Sequence, residues 1–340
     1  MNRYSRQTIL PEIGIEGQNN LLKAKVLVVG VGGLGSPAAL YLAAAGVGTV
    51  GLIDFDNVDE TNLQRQILYS TGEQGVPKVQ AAKKRLLELN PSIQVAIYKE
   101  KLDFDNADKI ISEYDLILDG TDRYQTKYLI NDLCAKLDKV WIYGSITGFH
   151  GMFAAFRPHL GPCLRCYQKS PPKHYVPNCQ EFGVLGPAVG VIGSIQAALA
   201  IKALLFQTTQ KPNLDPQYGK MFVFDIGAMN FIKVPINKNT NCTACVNHQI
   251  DVEMNELVAS TTQFEKYFVL DVREAHEFQE GSILNAVNWP LSQLRINPKE
   301  ITLPTDREIL VCCHSGARSK IAIEILMEAQ KRNYVNRKKH

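Results

Sequence analysis

Short apolar runs alternate with segments of helical spacing over the first 145 residues. The runs are rich in β-branched residues, as in strands buried on both faces of a parallel sheet, and they lie at residues 26–29, 50–53, 94–98, 115–119 and 140–144. Between them, the spacing of apolar positions predicts helices at residues 36–46, 60–68, 78–89, 104–112 and 124–137. This alternation predicts an α/β fold with a doubly wound, mostly parallel sheet.

The pattern changes after residue 145. Residues 147–156 alternate between apolar and polar positions, which predicts an antiparallel edge strand, and residues 221–225 and 231–234 predict two more strands. Residues 186–206 predict a long, buried, apolar helix. The chain has 340 residues, enough for two domains at ~100–200 residues each. We predict a first domain of residues 1–248, a linker of residues 249–262 and a small α/β domain of residues 263–340.

A glycine-rich turn follows the first strand. Gly30, Gly32 and Gly35 have the spacing G-x-G-x-x-G, and Gly33 lies among them. Such a turn is tight, and a phosphate can approach its backbone at the N-terminus of the next helix. Asp54 ends the second strand, where a carboxylate can bind a ribose hydroxyl. This order of strand, turn, helix and acid predicts a nucleotide site in a Rossmann-like sheet.

Side chains further along the chain indicate which nucleotide is bound. Asn62, Arg65 and Lys78 follow the second strand, and such a set suits a triphosphate better than a dinucleotide. Asp122 follows the strand at residues 115–119, where a carboxylate can hold Mg²⁺ between phosphates. Taken singly, Arg65 and Lys78 are compatible with solvated surface charges, and Asp122 with a helix N-cap. A nicotinamide oxidoreductase would share the glycine turn but would leave both cations unexplained.

Two Cys-x-x-Cys pairs lie in the region of changed pattern, and they are Cys163 with Cys166 and Cys242 with Cys245. A single pair could be a redox couple, whereas two pairs in one domain can supply four thiolates to tetrahedral Zn²⁺. Four sulfurs leave no open coordination position, so we expect a structural zinc site. Cys179 lies between the pairs, in a polar, proline-rich stretch.

Composition sets only broad limits. The net charge is +3, and the only dense basic run is at residues 337–340, so we expect no nucleic-acid partner. No apolar run approaches the ~20 residues that span a bilayer, and the N-terminus has no signal-peptide pattern. Eight cysteines without an export signal favour metal or thiol chemistry over disulfides. We therefore expect a cytoplasmic protein with no membrane partner.

The motifs of the first domain resemble those of the sulfur-carrier adenylyltransferases typified by MoeB and ThiF, relatives of the ubiquitin-activating enzymes. The resemblance covers residues 3–245, and the matching segments are residues 3–7, 30–35, 54–56, 62–66, 77–78 and 121–122. It implies that ATP activates the C-terminal glycine of a small ubiquitin-fold protein, ending in Gly-Gly, as an acyl-adenylate. One departure is Arg123, where relatives often carry Asn.

This resemblance also implies roles for single residues. The ATP site would consist of Gly30, Gly32, Gly33, Gly35, Asp54, Asn62, Arg65, Lys78 and Asp122. Within it, Asp54 would bind ribose and Asp122 would hold Mg²⁺. Arg6 resembles an arginine that reaches into the partner subunit's site, which implies a homodimer. Cys179 falls on a loop that carries a reactive cysteine in some relatives, and both a covalent role and a non-catalytic exposed thiol are compatible with the sequence.

The second domain places a cysteine at the end of an apolar run, residues 308–312. Cys313 is followed by a loop of small residues and a predicted helix at residues 320–330. Loop amides and the positive end of that helix would stabilise a thiolate or persulfide on Cys313, and Arg318 adds charge nearby. The neighbouring Cys312 should face the opposite side of the strand and be inert.

This segment resembles the rhodanese family of sulfurtransferases, whose active loop is a Cys followed five residues later by an Arg. The loop here would be Cys313, His314, Ser315, Gly316, Ala317 and Arg318, and residues 271–274 match the opening signature of the family. Ser282 stands where His is usual, and the chain ends at His340 before the usual closing segment, so we expect a shortened domain. A phosphatase of the Cys-x5-Arg type would need one more residue in the loop.

The two resemblances together imply one reaction sequence. The carrier is adenylylated, Cys313 takes sulfur from a donor such as a cysteine desulfurase, and the sulfur reaches the acyl-adenylate directly or through Cys179. The catalytic residues would be Arg65, Lys78, Asp122, Cys179 and Cys313. The alternatives are an adenylyltransferase with a non-catalytic rhodanese-like domain, an NAD-dependent oxidoreductase and a scaffold protein. Carriers of molybdopterin, thiamine, tRNA-thiolation and cysteine pathways all fit the sequence.

Overall fold

A computed structural model describes residues 3–171, 183–250, 267–279, 286–313, 317–330 and 335–336. These residues form two compact units, one built from the described residues up to 250 and one from those after 266. Each unit has its own sheet and its own apolar core.

The first unit alternates strands and helices as the sequence predicts. In chain order its elements are α1 (Ser5–Thr8), α2 (Gly14–Lys23), β1 (Lys25–Val29), α3 (Gly35–Ala45), β2 (Thr49–Ile53), α4 (Lys78–Leu89), β3 (Gln94–Tyr98), α5 (Ala107–Ser112), β4 (Leu116–Asp119), α6 (Tyr124–Lys136), β5 (Val140–Thr147), β6 (His150–Phe156), α7 (Leu164–Tyr167), α8 (Gly186–Thr209), β7 (Lys220–Asp225) and β8 (Asn230–Pro235).

The eight strands form one sheet in the order β3-β2-β1-β4-β5-β6-β7-β8. The first five positions pair in parallel, and β5 to β8 pair antiparallel. This confirms the predicted doubly wound sheet with an antiparallel extension. The order reverses between β1 and β4, and in such sheets ligands bind at the carboxyl ends of the strands at that point.

Two predicted elements were wrong. Residues 60–68 are not an α-helix: the segment has one 3-10 turn at Glu60–Asn62 and then irregular turns. Tertiary contacts decide its path, because the Tyr69 hydroxyl just after it donates to the Val31 carbonyl at 2.7 Å. The strand predicted at residues 147–156 is not an edge strand, since β6 pairs with both β5 and β7 and the edge is β8.

Helix α8 confirms the predicted long, buried, apolar helix, although it is longer and more apolar than the sequence analysis expected of any segment. In the described part of the chain it alone is long and apolar enough to cross a membrane, with a mean hydropathy of 1.9 over its most apolar window. Half of that window is buried inside the protein. The helix packs closely on its neighbours: a Cβ on Gly193 would lie 2.4 Å from the Leu34 carbonyl oxygen, and one on Gly151 would lie 2.5 Å from Ile192. These contacts are those of a core helix.

The second unit is a small parallel sheet with helices. Its described elements are β9 (Tyr267–Asp271), α9 (Ala275–Gln279), β10 (Val287–Asn288), α10 (Leu291–Ile296), β11 (Glu308–Cys312), α11 (Ala317–Gln330) and β12 (Val335–Asn336). The strand order is β10-β9-β11-β12, and all three pairings are parallel. Helices α10 and α11 pack on one face of this sheet through Leu294 and Leu326, which are fully buried.

Candidate functional site

The glycine turn lies where β1 and β4 separate, and its backbone is packed tightly. Gly30 has a φ of +81°, which strongly favours glycine. A Cβ on Gly35 would lie 2.1 Å from the Gly30 carbonyl oxygen, and one on Gly33 would lie 2.7 Å from Val189 of α8. Gly32 differs, because the nearest atom to its Cβ position is 3.6 Å away. Three of the glycines are therefore needed for packing, whereas Gly32 leaves space beside the turn.

Asp54 is tied to this turn. Its carboxylate accepts hydrogen bonds from the amide of Val31 at 2.8 Å and from the amide of Asp56 at 2.9 Å. Burial raises the pKa of the Asp54 carboxyl, while nearby Lys78 and the two amides lower it. Each carboxylate oxygen accepts one of these bonds and keeps a free lone pair, so Asp54 can still accept hydrogen bonds from a ribose.

The two predicted phosphate cations stand beside the turn, each held by an oxygen of a neighbouring side chain. Arg65 packs its aliphatic stem against Gly33 and donates to the Asn62 amide oxygen at 2.7 Å. Lys78 is buried and pairs with Asp56 at 2.8 Å. An ion pair of this kind holds the ammonium group in place while its other donors remain available.

Asp122 lies on a short turn between β4 and α6, and its side chain is exposed. The turn faces the same region, because the guanidinium of Arg123 stacks 5.3 Å from the centre of the Phe55 ring, one residue after Asp54. A Cβ on Gly30 would also lie 3.2 Å from the side chain of Thr121, so the glycine turn and the Asp122 turn are close together. The residues after β1, β2 and β4 thus meet in one crevice, which is suited to a nucleotide and a cation.

Arg6 is at the other end of the sheet. Its helix α1 lies beside the C-terminal ends of α3 and α4: Gln7 donates to the Ala45 carbonyl at 3.0 Å, and Asn90 donates to the Tyr4 hydroxyl at 2.9 Å. Because these helices begin at the carboxyl ends of the strands, their C-terminal ends point away from the crevice. Arg6 is exposed and does not reach the nucleotide site of its own chain.

The four predicted zinc ligands come together. The sulfur atoms of Cys163, Cys166, Cys242 and Cys245 all lie within 4.8 Å of one another. Their closest separations are 3.5, 3.6 and 3.9 Å. A tetrahedral Zn²⁺ with bonds of ~2.3 Å places its sulfurs ~3.8 Å apart, so the geometry fits this ion. The seven cysteines that the structure describes form no disulfide.

Helix α6 holds the first cysteine pair in position. Arg165, between the two cysteines, makes a two-pronged bond to buried Asp132 of α6, with both contacts at 2.7 Å. Asn131 accepts the Leu164 amide at 2.8 Å, and Ala135 packs against the cysteines. These contacts fix the position of the segment that carries Cys163 and Cys166.

In the second unit Cys313 lies between the end of β11 and the start of α11. It is fully buried, and its sulfur accepts a hydrogen bond from the Ser319 amide at 3.3 Å, in the first turns of α11. The Ser319 hydroxyl is 3.6 Å from the same sulfur. Cys312 packs in a separate cluster with Val269 and Leu310, on the opposite side of the strand, as the alternation of side chains predicts.

Arg318 is bound by a carboxylate of the same unit. Its guanidinium donates to both oxygens of Glu277, at 2.5 and 2.8 Å. The hydrogen bonds from Arg318 lower the pKa of Glu277 to about 2. The opening signature has a structural role, because buried Arg273 pairs with Asp271 at 2.7 Å and donates to the Glu277 carbonyl at 3.0 Å.

Four predicted site residues, Cys179, His314, Ser315 and Gly316, lie outside the described residues, as does Ser282. Sequence reasoning missed the buried Asp119–Lys127 pair beneath the Thr121 turn, as well as Glu277 and Ser319. Of these four residues, only Asp119 could have been identified from the sequence, because it is a charged residue at the end of an apolar strand. The other three are ordinary in sequence, and only their contacts reveal them.

The cysteine cluster gives the first prediction. We expect one tightly bound zinc ion per chain, and we expect Cys242→Ser to lower the zinc content several-fold, because a hydroxyl is a much poorer ligand than a thiolate. The measurement is elemental analysis of protein expressed with zinc. Cys134→Ala is the control, since Cys134 is buried on α6 apart from the cluster, and it should keep the full content. Equal zinc in both variants would contradict the assignment.

The Glu277–Arg318 pair gives a prediction of pH dependence. The folded pKa of Glu277, about 2, lies below the ordinary 4.5, so its stabilisation is present above pH 4.5 and disappears as the pH falls through 2. Because the pair is partly exposed, we expect Glu277→Gln to cost only ~1 kcal/mol at pH 7. Thermal unfolding between pH 7 and pH 3 measures this. The difference in stability between Glu277→Gln and wild type should become smaller below pH 4.5. The control Glu308→Gln changes an exposed residue and should be as stable as wild type at every pH.

Known proteins with similar sequences contain both units. A model of the ThiF family matches residues 4–244, and a model of the rhodanese-like domain matches residues 254–337. The chain is 36% identical to a probable molybdopterin-synthase adenylyltransferase of Porphyra purpurea, over 96% of this chain and 88% of that protein. It is 35% identical to the adenylyltransferase and sulfurtransferase MOCS3 of Culex quinquefasciatus, over 95% of this chain and 81% of that protein.

A solved structure shares the fold of the first unit. A crystal structure of E. coli MccB with MccA-N7isoAsn superposes with a TM-score of 0.63 at 24% identity, covering 72% of this chain and 75% of that one. The family match spans most of the chain, and relatives at this identity share both regions in the same order. The chain therefore belongs to the ThiF family and carries a rhodanese-like domain after its ThiF region.

Proposed function

We propose that this protein adenylylates the C-terminal glycine of a small ubiquitin-fold sulfur carrier and converts it to a thiocarboxylate. The observation that carries this proposal is the convergence of Asp54, Arg65, Lys78 and the Asp122 turn on one crevice beside a glycine turn. The names of the relatives support it, since they describe adenylyltransferases, and MOCS3 is also named a sulfurtransferase. An NAD-dependent oxidoreductase would leave both cations and the cysteine cluster unexplained.

In the first step, a carboxylate oxygen of the carrier glycine attacks the α-phosphorus of ATP, the bond to the β-phosphate oxygen breaks, and pyrophosphate leaves. Asp54 holds the ribose, and the amides of the glycine turn lie against the phosphates. Arg65, with Asn62, and Lys78 stabilise the charge that grows on the leaving pyrophosphate. Asp122, which is exposed at the crevice, would hold Mg²⁺, and this ion would neutralise phosphate charge when bound.

In the second step, the thiolate of Cys313 attacks the outer sulfur of a donor persulfide, such as that of a cysteine desulfurase, and the donor leaves as a thiolate. The terminal sulfur, on Cys313 or after transfer to the Cys179 thiolate, then attacks the acyl carbon, AMP leaves, and an acyl disulfide joins the carrier to that cysteine. A second thiolate, from the other cysteine or from a cellular thiol reductant, attacks the cysteine sulfur of this acyl disulfide, breaks its S–S bond and releases the carrier thiocarboxylate. A cellular dithiol reduces the disulfide that remains on the protein. The amide of Ser319 at the start of α11 stabilises the anionic sulfur. We propose that residues 1–248 and 263–340 perform the two steps and that the linker of residues 249–262 keeps sulfur at high effective concentration.

We further propose a cytoplasmic homodimer in which Arg6 completes the site of the partner chain. Two observations support the dimer. Arg6 is remote from the crevice of its own chain, and Ile9 and Leu10 beside it are 69% and 49% exposed. The cytoplasm suits a protein with thiol chemistry and a zinc site.

An adenylyltransferase with a non-catalytic rhodanese-like domain is the second candidate. The complete burial of Cys313 favours it, because a donor sulfur has to reach this atom.

The adenylation prediction concerns the crevice. We expect purified protein to exchange labelled pyrophosphate into ATP only with a matching carrier, chosen from a panel of ubiquitin-fold proteins ending in Gly-Gly. Asp122→Ala and Arg65→Ala should each lower the rate ~10²-fold or more, because they remove charge stabilisation at the phosphates. Lys136→Ala, which removes an exposed ion pair on α6, should exchange normally. Protein that binds ATP but exchanges with no carrier would contradict the proposal.

The sulfur-transfer prediction concerns two adjacent cysteines. After incubation with a cysteine desulfurase and cysteine, we expect one added sulfur on Cys313, located by mass spectrometry of peptides. Cys313→Ala should lose the label and thiocarboxylate formation but keep pyrophosphate exchange, whereas Cys312→Ala should keep all three. Thiocarboxylate formation that persists in Cys313→Ala would favour the second candidate.

A further inference from the structure

A buried ion pair lies directly beneath the turn that carries Asp122. Asp119 at the end of β4 is 0% exposed, and Lys127 on α6 is 2% exposed. The Lys127 ammonium group is 2.8 Å from one carboxylate oxygen of Asp119. It also donates to the Gly144 carbonyl on β5 at 2.6 Å and lies 5.0 Å from the centre of the Tyr143 ring.

The other carboxylate oxygen of Asp119 holds the turn itself. It accepts the Thr121 amide at 2.9 Å and the Thr121 hydroxyl at 2.7 Å. The Asp119 carbonyl accepts a bond from Gln196 of α8 at 2.7 Å. One carboxylate therefore connects the residue next to Asp122 to a buried cation, and that cation connects two neighbouring strands.

Stability alone does not account for this pair. The free energy needed to remove two charges from water is about as large as the free energy gained from their attraction. Well-packed apolar residues at the same positions would therefore stabilise the core at least as well. A buried, fully hydrogen-bonded pair instead restricts its surroundings to one geometry. Here the geometry that it restricts is the start of α6 and the turn at the nucleotide crevice.

We propose that Asp119 and Lys127 are positioning residues that fix the Thr121–Asp122 turn and so set the affinity of the crevice for a divalent cation bound with the nucleotide. The inference rests on the proposed function, because Asp122 is the carboxylate that would meet the cation. Lys127 acts through Asp119 and Thr121 and touches neither substrate nor metal. Without Lys127 the Asp119 carboxylate can rotate, and the Thr121–Asp122 turn is no longer held in one position. Asp122 then no longer keeps a fixed distance from the phosphates.

The test measures metal affinity apart from turnover. Zinc-loaded full-length protein is titrated with Mn²⁺ in the presence of AMPCPP, an ATP analogue that blocks pyrophosphate release, and free Mn²⁺ is followed by electron paramagnetic resonance. We expect Lys127→Met to weaken Mn²⁺ binding about tenfold, or ~1.4 kcal/mol, in the same direction as Asp122→Ala. Affinity for AMPCPP without added divalent cation should stay within twofold of wild type.

Two sets of variants separate positioning from general damage. Lys127→Arg keeps the charge and the donors and should restore most of the affinity. Lys136→Met lies on the same helix, removes an exposed pair with Asp108 and should bind Mn²⁺ as wild type does. If Lys127→Met does not fold, Thr121→Val removes one bond to Asp119 without leaving a buried charge alone, and Thr121→Ser is its control. We expect Thr121→Val to weaken Mn²⁺ binding several-fold and Thr121→Ser to leave it unchanged.

The outcomes distinguish this inference from the proposed function. Folded Lys127→Met or Thr121→Val that binds Mn²⁺·AMPCPP as tightly as wild type would overturn the positioning role while leaving the adenylation proposal intact. Wild-type protein that binds no AMPCPP would overturn the proposed function itself. A variant that loses affinity for AMPCPP without added divalent cation as much as it loses affinity for Mn²⁺ would also count against the inference. General damage to the crevice would give that result.

Discussion

The close approach of two strand ends is the constraint on which the nucleotide crevice depends. Where β1 and β4 separate, the Gly30 carbonyl oxygen lies 2.5 Å from where a Cβ on Gly120 would be and 2.1 Å from where one on Gly35 would be. The backbone of the glycine turn is therefore in direct contact with the backbone after β4, and the N-terminus of α3 packs against the end of the sheet. That contact directs helix amides into the crevice and brings the ends of β1, β2 and β4 within reach of one ligand.

Each cation at or beneath the crevice is held by a neighbouring side chain. Lys78 is held by Asp56, Lys127 by Asp119, and Arg65 by the neutral amide of Asn62. Held in this way, Lys78 and Arg65 keep fixed positions, so an arriving phosphate meets donors that are already oriented. Lys127 lies beneath the crevice and acts only through Asp119. The surface pair of Lys136 with Asp108 has no such surroundings and carries no comparable role.

The four-cysteine cluster and Cys313 also depend on supporting contacts. Asp132 holds Arg165 between the first two cysteines, and Glu277 holds Arg318 at the end of the cysteine loop. In each case a carboxylate on a helix orients a guanidinium that lies close in sequence to a cysteine. In both units, side chains that hold one another thus fix the segments that carry the candidate cysteines.

Local patterns in the sequence determined the elements and the residue types of the sites. The helix Lys78–Leu89 and the strand Gln94–Tyr98 have the bounds that periodicity predicts, because a proline entry, an Asn-Pro exit and β-branched runs act within a few residues. The spacing of the cysteines likewise indicated a four-sulfur site that the fold assembles. Tertiary structure alone decided the irregular path of residues 60–68 and the interior place of β6, since each depends on contacts with distant segments. Tertiary structure also decided that Arg6 lies far from the crevice of its own chain and that Lys127 lies beneath that crevice. The position of a residue in the sequence does not determine which end of a sheet, or which neighbour, its side chain will contact.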